Sequence, residues 1–519
     1  MNKEGKLSDK ISNKYDVIIV GCGVAGSIAG AILTSMEHKN VLVLERAPHI
    51  GGRTISFRGE GIREASDYQR ALGLAANTWY SGRGEPELSV IVKKRLLDGY
   101  VLEAGGRAGW YTNRGRVSYV LAAFNKPSIF YPNVGLVWFD HQWEPHNVVR
   151  GVRYGWMSEE GYSEMKKVSG RLLRTPTIAD AEKYDRVTLK DWLAEITSNE
   201  EALEFHYALG TWHTILNDPA LISAGENLKA VIISREEGVH VTHGAWSIAG
   251  APGHRFITEG FAAVIRDNGG EIVTNATVRE ISVQSGEVTG VVVQIGDETI
   301  EIKAPVVVST VPPKAMPKLL PGGVLPSDFE KAVERTINAG MVVGQFGLTK
   351  PLEAFCKIEV DPRSFYHTSI LIPENEGFRG NVPLDGFTVS NIARTMAPEG
   401  KYLAVMGGSV LDYEAHDKKK VDRVIDRILE FSDVAFPGWR SALEWMIFTV
   451  TETALCWRQP EDSKPDVVCP SVEGLYFAGD AFGKRCNEGG IEAASHSGLV
   501  CAGAITGKSY LEILPPHLR

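Results

Sequence analysis

Between Tyr15 and Arg53 the chain sets down, in order, an apolar strand, three spaced glycines, an apolar helix, a second apolar strand closed by an acid, and a Gly51-Gly52-Arg53 turn. Four consecutive apolar residues, Val17-Ile18-Ile19-Val20, read as a parallel strand buried on both faces. Gly21 permits the tight turn that follows, Gly23 lets the backbone approach a pyrophosphate, and Gly26 lets helix and strand pack closely. The helix opening at about Val24 offers unpaired amides and a positive dipole end to an anion, so no lysine is needed. Glu45 closes Val41-Leu42-Val43-Leu44, 19 residues after Gly26, where a carboxylate accepts hydrogen bonds from both hydroxyls of an adenosine ribose. The same charge repels a 2′-phosphate. This order specifies a dinucleotide site and argues against NADP in it.

Two later blocks have the same character, which makes the nucleotide domain discontinuous in sequence. From Phe261 an apolar helix leads to Asn268-Gly269-Gly270, then Glu271-Ile272-Val273 and Val278 to Val283 read as strands. A Ser285-Gly286 turn precedes a strand from Val288 to Gln294, and Val306 to Ser309 follows as another buried strand, stopped by Pro312-Pro313. Near the carboxy terminus, Gly474 to Gly479-Asp480 reads as strand and turn, and Glu488-Gly489-Gly490 opens a small-residue helix running from Ile491 to about Ile505. That is a second helix terminus able to face an anion.

At 519 residues the chain exceeds one small core and is expected to form two domains. With 55 basic against 64 acidic residues, a net charge of -9 and no basic block longer than Lys418-Lys419-Lys420, nucleic acid is not an expected partner. No stretch reaches the roughly 20 apolar residues that span a bilayer. Residues 1–14 are polar and read as a flexible leader, and the expected location is cytoplasmic. Six scattered cysteines without a Cys-x-x-Cys pair suit reduced thiols rather than disulfides or zinc.

The stretches without nucleotide-site character, Ser56 to Gly250 and Lys314 to Met446, are expected to bind substrate. The first is rich in tryptophan and histidine, among them Trp110, Trp138, His141, Trp143, His146, Trp156, Trp192, His206, Trp212, His213, His240, His243 and Trp246. Such walls suit a cyclic or conjugated substrate, although core packing explains any single one of them. His206 and His213, seven apart, share a helical face but have no carboxylate at ligand spacing, so no metal is expected. Gly82 to Glu87 and Gly377 to Pro383 read as loops.

These motifs resemble the FAD-dependent amine oxidase and phytoene desaturase superfamily. The resemblance implies an α/β fold: a glutathione-reductase-like, discontinuous FAD-binding Rossmann domain over 15–60, 251–313 and 447–519, with an α+β substrate domain over 61–250 and 314–446. It implies that Gly21, Gly23 and Gly26 hold the FAD pyrophosphate, that Glu45, with Arg46 beside it, holds the adenosine ribose, and that Gly52 and Arg53 lie at the phosphate and flavin side. Val278 corresponds to the valine whose backbone reads adenine, Gly479-Asp480 to the acid near ribityl and pyrophosphate, and Gly490-Ile491 to the amides over flavin O2.

Within that superfamily the chain is more similar to the phytoene desaturase, carotenoid isomerase and saturase branch. Amine oxidases usually carry a lysine on the strand corresponding to Gly340 to Leu348, which has none, and an aromatic residue where Gly490 stands. The expected reaction is dehydrogenation of a C–C bond of an apolar, alicyclic or conjugated substrate by hydride transfer to flavin N5. Flavin-dependent isomerisation or saturation, amine oxidation, and flavin-independent binding of prenylated proteins, as in Rab GDP-dissociation inhibitors, stand as alternatives. By residue type alone Glu488, His213 and Tyr366 are candidates for the catalytic base. The electron acceptor is unknown, and a homodimer is left open.

Overall fold

A computed structural model describes the chain except for residues 1–10, 105–108, 111–113, 133, 140–141, 146–152, 154–156, 176, 237–245, 250–252, 372–380, 458–459, 461–463 and 484–489. The apolar tetrads form what their lack of alternation requires, strands covered on both sides. Val17–Val20 lies at the centre of a five-stranded sheet in the order Glu271–Val273, Val41–Leu44, Val17–Val20, Val306–Ser309, Leu475–Phe477. All four pairings are parallel, with Val17 opposite both Val41 and Val306. Segments hundreds of residues apart thus meet in one sheet, as the three blocks of the sequence suggest.

Three helices start at the carboxyl edge of this sheet. Val24–Ser35 follows the first strand, Gly490–Thr506 follows the last, and Arg255–Asp267 descends before the parallel strand Glu271–Val273, so its first turn lies at that edge too. The crevice outside the carboxyl ends of such a sheet is where ligands bind. Glycine permits the close packing of these helices. A Cβ on Gly30 would lie 2.8 Å from Ile265 Cδ1, and one on Gly498 would lie 2.8 Å from the Ala25 carbonyl.

The predicted hairpin is present as Ala276–Gln284 and Glu287–Ile295, turning through Ser285 and Gly286, both at positive φ (53° and 84°). A third strand, Glu298–Lys303, extends it. The second large sheet has eight strands and contains Ile337–Leu348, Tyr402–Leu411 and Leu443–Trp457. Helix Lys418–Ala435 covers one face through Val424, Ile425 and Ile428. Strand Leu443–Trp457 runs through the expected 446/447 boundary and pairs within this second sheet, so the chain returns to the parallel sheet only after Trp457. Residues 82–85, read as loop, belong instead to strand Thr78–Glu85 at the sheet's edge: Ser81-Gly82-Arg83-Gly84 has no apolar alternation, yet backbone pairing to Leu443–Trp457 needs none. Of the other expected loop, 377–380 lie outside the described residues and 381–383 form part of strand Asn381–Thr388. No helix among the described residues is long and apolar enough to cross a membrane.

Candidate functional site

The glycine turn is built as its chemistry predicts. Gly21 has φ +102°, and a Cβ there would lie 2.3 Å from Thr310 Oγ1, which sits 2.9 Å from the Val20 carbonyl. A Cβ on Gly26 would lie 2.3 Å from the Gly21 carbonyl, so this glycine is fixed by helix–strand packing. Gly23 is different: a Cβ there would meet nothing within 4 Å. It is the N-cap of helix Val24–Ser35, and neither a capping side chain nor an acid in the first turn answers the helix's amides. An uncapped helix start beside open space fits a phosphate group.

Glu45 is buried, and both of its oxygens are engaged. Oε2 accepts from the Cys22 amide at 2.9 Å and Oε1 from the Ala47 amide at 2.9 Å, tying the glycine turn to the end of the second strand. A carboxylate has lone pairs left for two hydroxyls. The Val278 strand begins alongside: the Ala276 amide donates to the Glu45 carbonyl at 2.9 Å and the Asn275 amide to the Ala47 carbonyl at 3.0 Å. Val278 itself is buried opposite Val293, at a register shift. Arg46 is exposed and donates to Asn77 Oδ1 at 3.1 Å.

Gly51 (φ +132°) and Gly52 (φ +55°) bring the next segment against the first turn. The Gly51 amide donates to the Cys22 carbonyl, and Gly52 sits against Gly23. This delivers Arg53 to Asp480 in a bidentate pair, Nη1–Oδ2 2.9 Å and Nη2–Oδ1 2.6 Å. Arg53 Nη1 also reaches the Ala454 carbonyl, Asp480 Oδ2 accepts from the Cys456 amide, and Lys464 Nζ donates to the Asp480 carbonyl. Burial alone would lower the basicity of Arg53, but the Asp480 charge and hydrogen bonds outweigh it and raise it above the ordinary value. Gly479 (φ +146°) makes the turn before Asp480, its amide donating to Ser497 Oγ at 3.1 Å. Gly490 (φ +53°) opens the last helix, and a Cβ there would lie 2.7 Å from Leu455 Cδ2. Ile491 follows, packed against the core beside helix Val24–Ser35.

The structure gathers the glycine turn, Glu45, Gly52, Arg53, Asp480 and Gly490 at the carboxyl edge of the parallel sheet, with Val278 in the three-stranded sheet alongside, whereas His213 and Tyr366 lie on other elements. Glu488 lies outside the described residues. His213 is buried in helix Glu200–Thr214 with Nδ1 2.8 Å from Asn227 Oδ1. Tyr366 lies in strand Ser364–Leu371, opposite Gly386 and Leu136. His206 shares the His213 helix but faces the Met165 carbonyl, and burial lowers its pKa to about 4. Among the described residues no group of three or more histidines, cysteines or acids is placed to hold a metal, and none of the five described cysteines forms a disulfide.

Sequence reasoning missed one buried polar cluster at the same edge. Glu103 Oε1 accepts from the His254 amide (2.8 Å), from His254 Nδ1 (2.9 Å) and from Ser56 Oγ (3.0 Å). Nothing local marks it, since its members come from three separate segments.

The family model for flavin containing amine oxidoreductases matches residues 24–506. The chain is 24% identical over 322 residues to an all-trans-retinol 13,14-reductase from Danio rerio, a match covering 59% of this chain and 49% of that protein. The chain thus spans about half the length of this curated relative. The structure is similar to that of an oxidoreductase from Methanosarcina mazei (TM-score 0.66, 16% identity, 95% of this chain and 100% of the other). It is also similar to cyclohexylamine oxidase from Brevibacterium oxydans (TM-score 0.60, 18% identity, 95% and 98%).

Proposed function

The chain belongs to the flavin containing amine oxidoreductase family, and from that premise we propose that it is an FAD-dependent oxidoreductase dehydrogenating a C–C bond of an apolar, alicyclic or conjugated substrate. The observation that carries the cofactor reading is the uncapped start of helix Val24–Ser35 beside open space at Gly23, with Glu45 held one strand away. Bound FAD supplies a hydride acceptor. The amides from Val24 onward bind its diphosphate, the remaining lone pairs of Glu45 take the ribose hydroxyls, and the Arg53–Asp480 pair fixes Gly52 against Gly23. The dipole of helix Gly490–Thr506 favours negative charge at its first turn.

Two features favour carbon over amine chemistry. The strand Ile337–Leu348 carries Met341, Val343 and Gln345 and no lysine, and position 490 is a glycine at φ +53°, a conformation that disfavours an aromatic residue there. The test is anaerobic. Purified protein is denatured to release and identify the flavin, and holoprotein is mixed with alicyclic ketones, acids, polyenes and amines. The proposal expects FAD, and bleaching of its oxidised band by a non-amine substrate. Colourless protein would favour the binding role of the GDP-dissociation inhibitors, and bleaching by amines alone would return the chain to amine oxidation.

A second reading, saturation or isomerisation of a C=C bond, is favoured by the likeness to a retinol 13,14-reductase. It expects turnover only with reduced flavin, or product of unchanged mass.

A further inference from the structure

The Glu103, His254 and Ser56 cluster does more than cap a helix. His254 is the N-cap residue of helix Arg255–Asp267, which starts at the carboxyl edge of the parallel sheet, and a carboxylate beside its amide is an ordinary answer to such a terminus. Capping needs only the backbone N–H, yet an imidazole occupies the position at 1% exposure. Its Nδ1 faces Glu103, an acceptor when ionised, so Nδ1 is the donor, and in the neutral form of the ring Nε2 is the acceptor. Nε2 is buried and has no hydrogen-bond partner among the described residues. Leaving a buried acceptor unanswered is unfavourable, and an apolar residue at 254 would avoid that cost.

The cluster sits against the segment that carries the Arg53 clamp. Ser56, paired in register with Glu103, is three residues beyond Arg53. The Ala104 amide donates to the Ile55 carbonyl, and Thr258, one turn into the His254 helix, lies 3.5 Å from where a Gly51 Cβ would stand. Gly253 (φ +86°) makes the close approach possible, because a Cβ there would lie 2.3 Å from Ser56 Oγ and 2.9 Å from Glu103 Oε1.

We propose that His254 Nε2, with its tautomer fixed by Glu103, is a proton-accepting site at the flavin crevice. This rests on the reading of the protein as a flavoenzyme. With FAD held in the crevice and reduced by two electrons from a hydride-donating substrate or a reducing dye, a solvent proton would bond to His254 Nε2, and Glu103 would neutralise the imidazolium so formed. Phe130 and Phe256 pack around the ring's end of the helix. Of the other titratable groups near this end, Arg255 turns to Glu259 (3.2 Å), His49 has its basicity lowered by burial and by Arg255, and the Arg116 guanidinium donates to the Leu518 carbonyl while its backbone amide donates to Glu492. Glu103 is therefore the charge that His254 meets directly.

The test needs no substrate. The midpoint potential of the bound flavin is measured by dye-coupled reduction of the holoprotein from about pH 5.5 to 9, the window in which histidine titrates. The wild type is expected to take up one more proton on reduction below a break in this window than above it. His254→Gln is expected to keep its flavin and lose the break. Glu103→Gln, which removes the neutralising charge, is expected to move the break to lower pH, and it serves alone should His254→Gln fail to fold. An unchanged break in His254→Gln, or an unmoved one in Glu103→Gln, would overturn the assignment while leaving the flavin reading intact. Absence of flavin from denatured wild-type protein would overturn both.

Discussion

Arg53 closes both terminal nitrogens of its guanidinium on the Asp480 carboxylate across 427 residues of sequence. The carboxylate is 4% exposed and also caps the Cys456 amide, while Arg53 keeps 32% of its side-chain surface accessible. Breaking such a pair strands a buried charge. Arg53→Lys, which cannot reproduce the planar fork, is expected to cost about 1–3 kcal/mol in urea unfolding and to loosen bound flavin. Asp480→Asn should do the same, and the double variant should cost less than the sum of the two. Additive losses would show that the pair is not coupled.

Gly23 and Gly26 separate binding from folding. Gly26→Ala drives a methyl to 2.3 Å from the Gly21 carbonyl, a backbone atom that cannot step aside, and should destabilise the protein by about 2–4 kcal/mol or prevent folding. Gly23→Ala meets nothing within 4 Å. It should unfold within about 1 kcal/mol of the wild type yet release its flavin. A yellow, fully loaded Gly23→Ala protein would mean that the space over Gly23 is not where the phosphates lie.

The contrast between these glycines and the clamp explains how much could be read beforehand. The turn, helix start and Glu45 are encoded within about thirty consecutive residues, where strand, glycine and acid each have one local reason to be present. The Arg53–Asp480 and Glu103–His254 pairs are made by sheet topology across 427 and 151 residues, and no spacing rule reports them. Gly82 to Glu85 was misleading for a related reason. An edge strand is defined by the partner it pairs with, and its own side chains need not alternate. Thr310, which backs Gly21, follows directly on a strand that was legible, but its role depends on that strand lying beside Val17–Val20.

Glu45 holds two backbone amides that no other described side chain serves in the turn, those of Cys22 and Ala47. Glu45→Gln keeps the shape but turns an NH2 toward one of these donors. A buried amide then goes unmatched, at about 1–3 kcal/mol. The urea midpoint should fall, and reconstitution of flavin-free protein with FAD should weaken by tenfold or more. Unaltered affinity would place the ribose away from Glu45.

His206 makes stability depend on pH. Burial holds its folded pKa at about 4, below the value of about 6.5 expected in the unfolded chain. Between these values the unfolded state binds the proton and the folded state does not, so stability rises with pH across the window and is lost as pH falls from about 6.5 to about 4. The shift corresponds to at most about 3 kcal/mol. His206→Leu removes the titrating group while filling similar space in the cluster of Met165, Phe205 and Leu209. Urea midpoints measured at pH 7 and pH 5 should therefore differ less in the variant than in the wild type. Equal differences in the two proteins would assign the acid sensitivity to other groups.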